Sequence, residues 1–107
     1  MAVLGEPQFV AINTAAGDTT LVAAQAAGVK IRVLAFFMVS AAAAVATFQS
    51  GTGGTGLTGP MTMATGVSLG DDTSAFGLFE TAAATLLNLH QAGVVQISGY
   101  LIWTTAQ

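Results

Sequence analysis

The sequence predicts an all-β protein: a single-domain β-sandwich or jelly roll of about eight strands over residues 1–107, behind a short N-terminal arm (1–8). Three observations lead there. Short runs rich in valine, isoleucine, threonine and aromatic residues recur along the chain. Turn signals built on glycine, asparagine or aspartate separate them. The chain has 107 residues, enough for one core, and no linker or internal repeat divides it.

In chain order, FVAIN (Phe9 to Asn13) reads as the first strand and AAGD after it as a turn. TTLVAA (Thr19 to Ala24) follows, and AAGVK punctuates the chain before a long strand. On a period of two, Ile31, Val33, Ala35, Phe37 and Val39 of that strand share one face. Arg32, Leu34, Phe36, Met38 and Ser40 share the other. The first set is wholly apolar, as a core face requires, and the second is polar only at its ends. Ser40 and the alanines Ala41 to Ala44 form a turn or crossover, after which VATFQS (Val45 to Ser50) resumes as strand. SGTGGTGLTGP (Ser50 to Pro60) is a glycine-rich connection, MTMAT a short strand, and GVSLGDDTSAFG a loop. TLLNL (Thr85 to Leu89) and VVQISGYLIWTT (Val94 to Thr105) close the chain. In the final strand Val95, Ile97, Leu101 and Trp103 share a face, and Gly99 marks a bulge or a close backbone approach.

The alanine run admits a competing architecture. Alanine favours helix over strand, and residues 33–50 carry no charge. Their length suits a bilayer-crossing helix of about 17–25 residues, so a small membrane protein spanning 33–50 is the alternative. β-branched and aromatic residues on both flanks of the alanines favour two strands instead.

Composition narrows the function classes. Charged residues make up 7% of the chain, against about 25% in an average soluble protein, and the hydrophobic class reaches 53%. Lys30 and Arg32 are the only cations, too few to neutralise a nucleic-acid backbone. There is no cysteine, which excludes disulfides and thiolate metal sites. MAVLGEPQFVAINT lacks the basic start and long apolar core of a secretory signal, so export by that route is not expected. A chain so poor in charge must hide much of its surface in partners, which favours an assembly.

Candidate chemistry is sparse. His90, in LNLHQAG, is the sole histidine and has no partner at a recognisable spacing, so it reads as a strand-end or turn residue. Asp71 and Asp72 could contribute oxygens to Ca²⁺, but no ligand pattern surrounds them, and a solvated loop is the better reading. Glu80 could cap a turn or pair with Arg32 or Lys30. GTGGTG (Gly51 to Gly56) lacks the Lys-Ser/Thr of a P-loop and reads as a hairpin connection. Most aromatic residues, Trp103 among them, read as core or subunit interface. No catalytic constellation, cofactor site or metal site is expected.

The order of segments resembles a group of small structural proteins of tailed bacteriophages. The residues that carry the resemblance run from Leu21 to Thr104: LVAAQAAGVKIRVLAFFMVSAAAAVATFQSGTGGTGLTGPMTMATG, then FGLFETAAATLLNLHQAGVVQISGYLIWT. Ala84 and Thr85 stand where the family pattern has Gly-Glu after FETAA, so the turn there is expected to differ. The resemblance implies a β-sandwich or jelly-roll virion component of the capsid decoration (cement) type. Such a protein is non-enzymatic, often a homotrimer, binds the major capsid protein on the outside of the head and stabilises it. It is made in the host cytoplasm and contacts neither nucleic acid nor membrane. A head-fibre or tail-associated domain that binds host-surface sugars through exposed rings near Phe76 and Phe79 is the second reading. On the cement reading, Leu34, Phe36, Met38 and Trp103 are the expected oligomer or capsid interface.

Overall fold

Ten strands, and no helix among the described residues, make up the structure, a computed structural model that describes residues 5–66, 68–71 and 77–107. The strands are β1 (Gln8–Thr14), β2 (Asp18–Val22), β3 (Lys30–Ser40), β4 (Ala44–Ser50), β5 (Thr55–Gly56), β6 (Met61–Met63), β7 (Ser68–Asp71), β8 (Phe79–Glu80), β9 (Leu87–Gln91) and β10 (Ile97–Ala106). The expected all-β sandwich is present, with two antiparallel sheets packed on one core. The first sheet has the order β1-β10-β3-β7, with β8 also paired to β3. The second has the order β2-β9-β4-β5, with β6 also paired to β4. Two of the strands not placed from the sequence, β5 and β8, are two-residue pairings. A third, β7, lies in the segment expected as loop and pairs with Phe36 to Val39. β1 begins at Gln8, and the Gly5 N–H donates to the Thr105 carbonyl.

The alanine run resolves as a crossover. Ala41 to Ala43 carry the chain from the first sheet to the second, and Ala44 already belongs to β4. The Ala41 N–H donates to the Gln96 carbonyl at 2.9 Å, tying the turn to the start of β10. Ladder bonds on both flanks outweigh the helical preference of three exposed alanines. Residues 33–50 are therefore two strands and a turn rather than the helix a span requires. No helix among the described residues is long and apolar enough to cross a membrane.

One irregularity decides which side chains meet the core. β10 pairs with β3 without interruption except between Ile102 and Trp103, where Ile102 faces Ala35 and Trp103 faces Val33. Leu34 is the unmatched residue, a β-bulge that reverses the inward and outward sets from there on. Ile31 and Val33 point inward before it, while Phe36, Met38 and Ser40 point inward after it. The unbroken alternation expected from the sequence, with Phe37 and Val39 beside Ile31 and Val33, is thereby corrected.

The core lies between the sheets. Ile12, Ile31, Val33, Phe36, Met38, Ile97 and Leu101 from the first meet Leu21, Phe48, Met63, Leu87 and Leu89 from the second. Phe36 and Phe48 join the two layers edge to face, with ring centroids 5.1 Å apart. Phe79 closes the cluster at 5.1 Å from Phe48.

Gly99 faces Met38 across the β10–β3 ladder with φ +156°, and a Cβ there would collide with the Phe37 carbonyl oxygen. The close backbone approach expected at this glycine is present. Gly99→Ala should destabilise the fold by about 1–3 kcal/mol, read as a lower urea midpoint at unchanged slope.

Candidate interaction surface

Of the four residues expected at an interface, three lie in the core. Phe36, Met38 and Trp103 are buried between the sheets, and Leu34 sits at the bulge, buried but outside the core cluster. None is offered to a partner by the folded chain. The bulge is the reason, because it turns Phe36 and Met38 inward and leaves their neighbours outside.

Those neighbours form a different surface. Phe37 on β3, Tyr100 on β10 and Phe9 on β1 cross three adjacent strands on the outer side of the first sheet. Their exposures are 38%, 40% and 69%, high for large aromatic residues. Phe37 and Tyr100 are cross-strand partners with centroids 5.8 Å apart and planes 23° from parallel. Phe9 stacks on the other side of Tyr100 at 6.0 Å and 21°. Rings this close and this nearly parallel are offset-stacked, with Tyr100 between the other two. Gly70 of β7, opposite Phe37, leaves room for that ring. Sequence reading missed the strip because an uninterrupted period of two places Phe37 inside.

Beside the strip lies a cluster of charge. Arg32 of β3 faces Glu80 of β8 in register, and its Nε and Nη2 donate to Glu80 Oε2 at 3.0 and 2.9 Å. Lys30 Nζ sits 3.5 Å from Oε1. Glu80, expected to pair with Arg32 or Lys30, thus pairs with both. Burial works against the charged carboxyl, but the Arg32 hydrogen bonds and charge, with Lys30, outweigh it and hold Glu80 below the ordinary glutamate range. Thr81 completes the clamp: its N–H donates to the Ile31 carbonyl, and its hydroxyl accepts from the Ile31 N–H at 3.0 Å. KIR and FET, 48 residues apart from Arg32 to Glu80, form one physical unit.

On the opposite sheet, His90 of β9 does have a partner. Its Nδ1 lies 2.9 Å from Asp18 Oδ1 across the β2–β9 ladder, a contact no local spacing could announce. Asn88 Nδ2 donates to Asp18 Oδ1 and to Gln49 Oε1, each at 2.9 Å. The Asn88 hydrogen bond, then that of His90, hold the Asp18 carboxyl below its usual value. Among the described residues no group of three His, Cys, Asp or Glu side chains could hold a metal. Of the candidate aspartate pair, Asp72 lies outside the described residues, and Asp71 is placed only as the last residue of β7. GTGGTG folds as a turn leading into β5, with the Gly54 N–H donating to the Gly51 carbonyl.

A shallow groove of about 320 Å³ lies at one end of the sandwich, lined by Ala43, Val45, Thr62, Ala92, Gly93 and Val95 among others. Its lining offers no titratable side chain.

No family model matches the chain, and no curated protein does. Its fold is similar to that of a solved protein of the Bacillus endospore appendages, which form a novel family of disulfide-linked pili. The TM-score is 0.53 at 14% identity, covering 98% of this chain and 86% of that one. At such identity the likeness is one of fold.

Two measurements probe the clamp. Ala84 has φ +53°, a left-handed conformation that strains an L-residue. Ala84→Gly should therefore raise stability, by about 0.5–1 kcal/mol after the larger entropy of the unfolded glycine, visible as a higher urea midpoint. Glu80 has a lowered folded pKa, so its contribution is fully present above the unfolded carboxylate value and lost as pH falls through the folded one. Glu80→Gln should cost about 1 kcal/mol at pH 7, a figure discounted for solvent screening of a partly exposed carboxylate. Paired urea titrations should show that difference shrinking on acidification below about pH 4.3.

Proposed function

We propose that the chain is a non-enzymatic structural subunit of a tailed-bacteriophage virion, a capsid decoration (cement) protein. It binds the major capsid protein on the outer head surface as a homotrimer and stabilises the head by adding buried interface. The observation that carries this reading is the exposed aromatic strip of Phe9, Tyr100 and Phe37, on a chain with only seven charged residues. Such a surface loses free energy in water and gains it in contact with protein. The resemblance of KIRVL, LTGP and FETAA to virion proteins supplies the setting. The nested strand order supports reading the sandwich as a jelly roll. The appendage protein of similar fold belongs to an assembly, which is in keeping with self-association. Without cysteine, this chain would associate through non-covalent contacts alone. Synthesis in the host cytoplasm and residence on the capsid exterior follow from the same reading.

A head-fibre or tail-associated domain that binds host-surface sugars is the second reading, and the same exposed rings favour it. Of the rings expected in its loop platform, Phe79 packs against the core cluster, and Phe76 lies outside the described residues.

Heads of a phage encoding the chain, prepared with and without it, test the proposal. Complete heads should withstand higher temperature and stronger dilution than depleted ones, and added protein should restore the difference. Equal tolerance would remove the stabilising role, and a glycan-array signal from the isolated chain would promote the second reading.

A further inference from the structure

We infer that the outer face of the first sheet, centred on Phe9, Tyr100 and Phe37, is the surface on which copies of this chain pack against one another. This rests on the structural-subunit reading and names the surface that reading requires. Three features of the face select a second copy as its occupant.

The first is its anatomy. The three stacked rings form an apolar centre that Val39 and Ile102, both partly buried, continue. Gln96, whose amide donates to Asn13 Oδ1 at 2.7 Å and to Ser98 Oγ at 3.1 Å, supplies a polar margin. An aromatic centre within a polar rim is how protein interfaces are built.

The second is charge. None of the residues at the centre of the face is an aspartate, glutamate, lysine, arginine or histidine, and the two cations of the chain are both engaged by Glu80. A face without net sign cannot select a partner by opposite charge, but it tolerates its own copy without repulsion.

The third is size. The molecule measures 42 × 26 × 20 Å, as two sheets about 10 Å apart with their outer side chains would. A side of its two longer dimensions has room for the roughly 800 Å² per copy of a standard specific interface.

The test is the native mass of the full chain by light scattering on a sizing column, in detergent-free buffer. Wild type should run as a multiple of the 10.7 kDa chain. Phe9→Ser/Tyr100→Ser should run as a monomer with an unchanged circular-dichroism spectrum, while Val94→Ser, which alters another exposed apolar residue, should keep the wild-type mass. A second variant leaves the rings intact. Ala11→Cys, exposed on β1 and facing Tyr100 across the ladder, would be the chain's only thiol, and oxidation should link two copies through it. Val94→Cys should not link. A wild-type multimer that survives the ring substitutions, with no cross-link at Ala11→Cys, would overturn the surface while leaving the virion reading intact. A wild-type monomer would also overturn it, and head stability would then judge the virion reading separately.

Discussion

A single unmatched residue, Leu34, sets the character of both sides of the first sheet. With strand side chains alternating at a period of two, an extra residue on β3 exchanges inside and outside for everything that follows. Phe36 and Met38 enter the core, where Phe36 meets Phe48 from the opposite sheet. Phe37 is forced out onto the surface beside Tyr100. Had β3 run straight, the molecule would hide the ring that it now displays and display the one that it now hides. The core and the candidate interface are therefore two consequences of one irregularity, and neither could change without the other.

β3 carries this burden because it is held along both edges. β10 covers one side over the whole strand, while β7 and β8 divide the other. β8 is only two residues long, too short to stand on ladder bonds alone, and the Arg32–Glu80 pair and the Thr81 bonds fix it in register. The left-handed Ala84 then lets the chain turn away, with its N–H on the Val29 carbonyl. A glycine would enter this conformation without strain, whereas Ala84 is held in it by the neighbouring bonds.

Fold class was legible because it rests on properties of individual segments. Alternating apolar residues mark β1, β4 and β10, and glycine-containing turns mark their ends, so each could be placed from its own residues. β7 was not legible, since SLGD has little strand character and pairs only because β3 offers it an edge. The same distinction explains the site. Arg32 and Glu80 could be matched because the chain has so few charges to pair, whereas His90 and Asp18 meet through a strand register that the sequence does not print. Phe36 and Phe37 are adjacent, aromatic and equally plausible as core. Only the bulge tells them apart, and a bulge is a property of the ladder between β3 and β10 rather than of either strand.

The physical logic of the surface then follows from scarcity of charge. A soluble domain ordinarily repels its own copies with interspersed charges, and edge strands are guarded in the same way. Here both cations are spent on Glu80, Asp18 is engaged by Asn88 and His90, and β1 is a seven-residue edge without a charge or an internal proline. Phe9 lies on that edge, so the aromatic strip reaches the border of the sheet instead of stopping within it. What would be a hazard for a solitary molecule is an advantage for a subunit, because association is the state in which such a surface is satisfied.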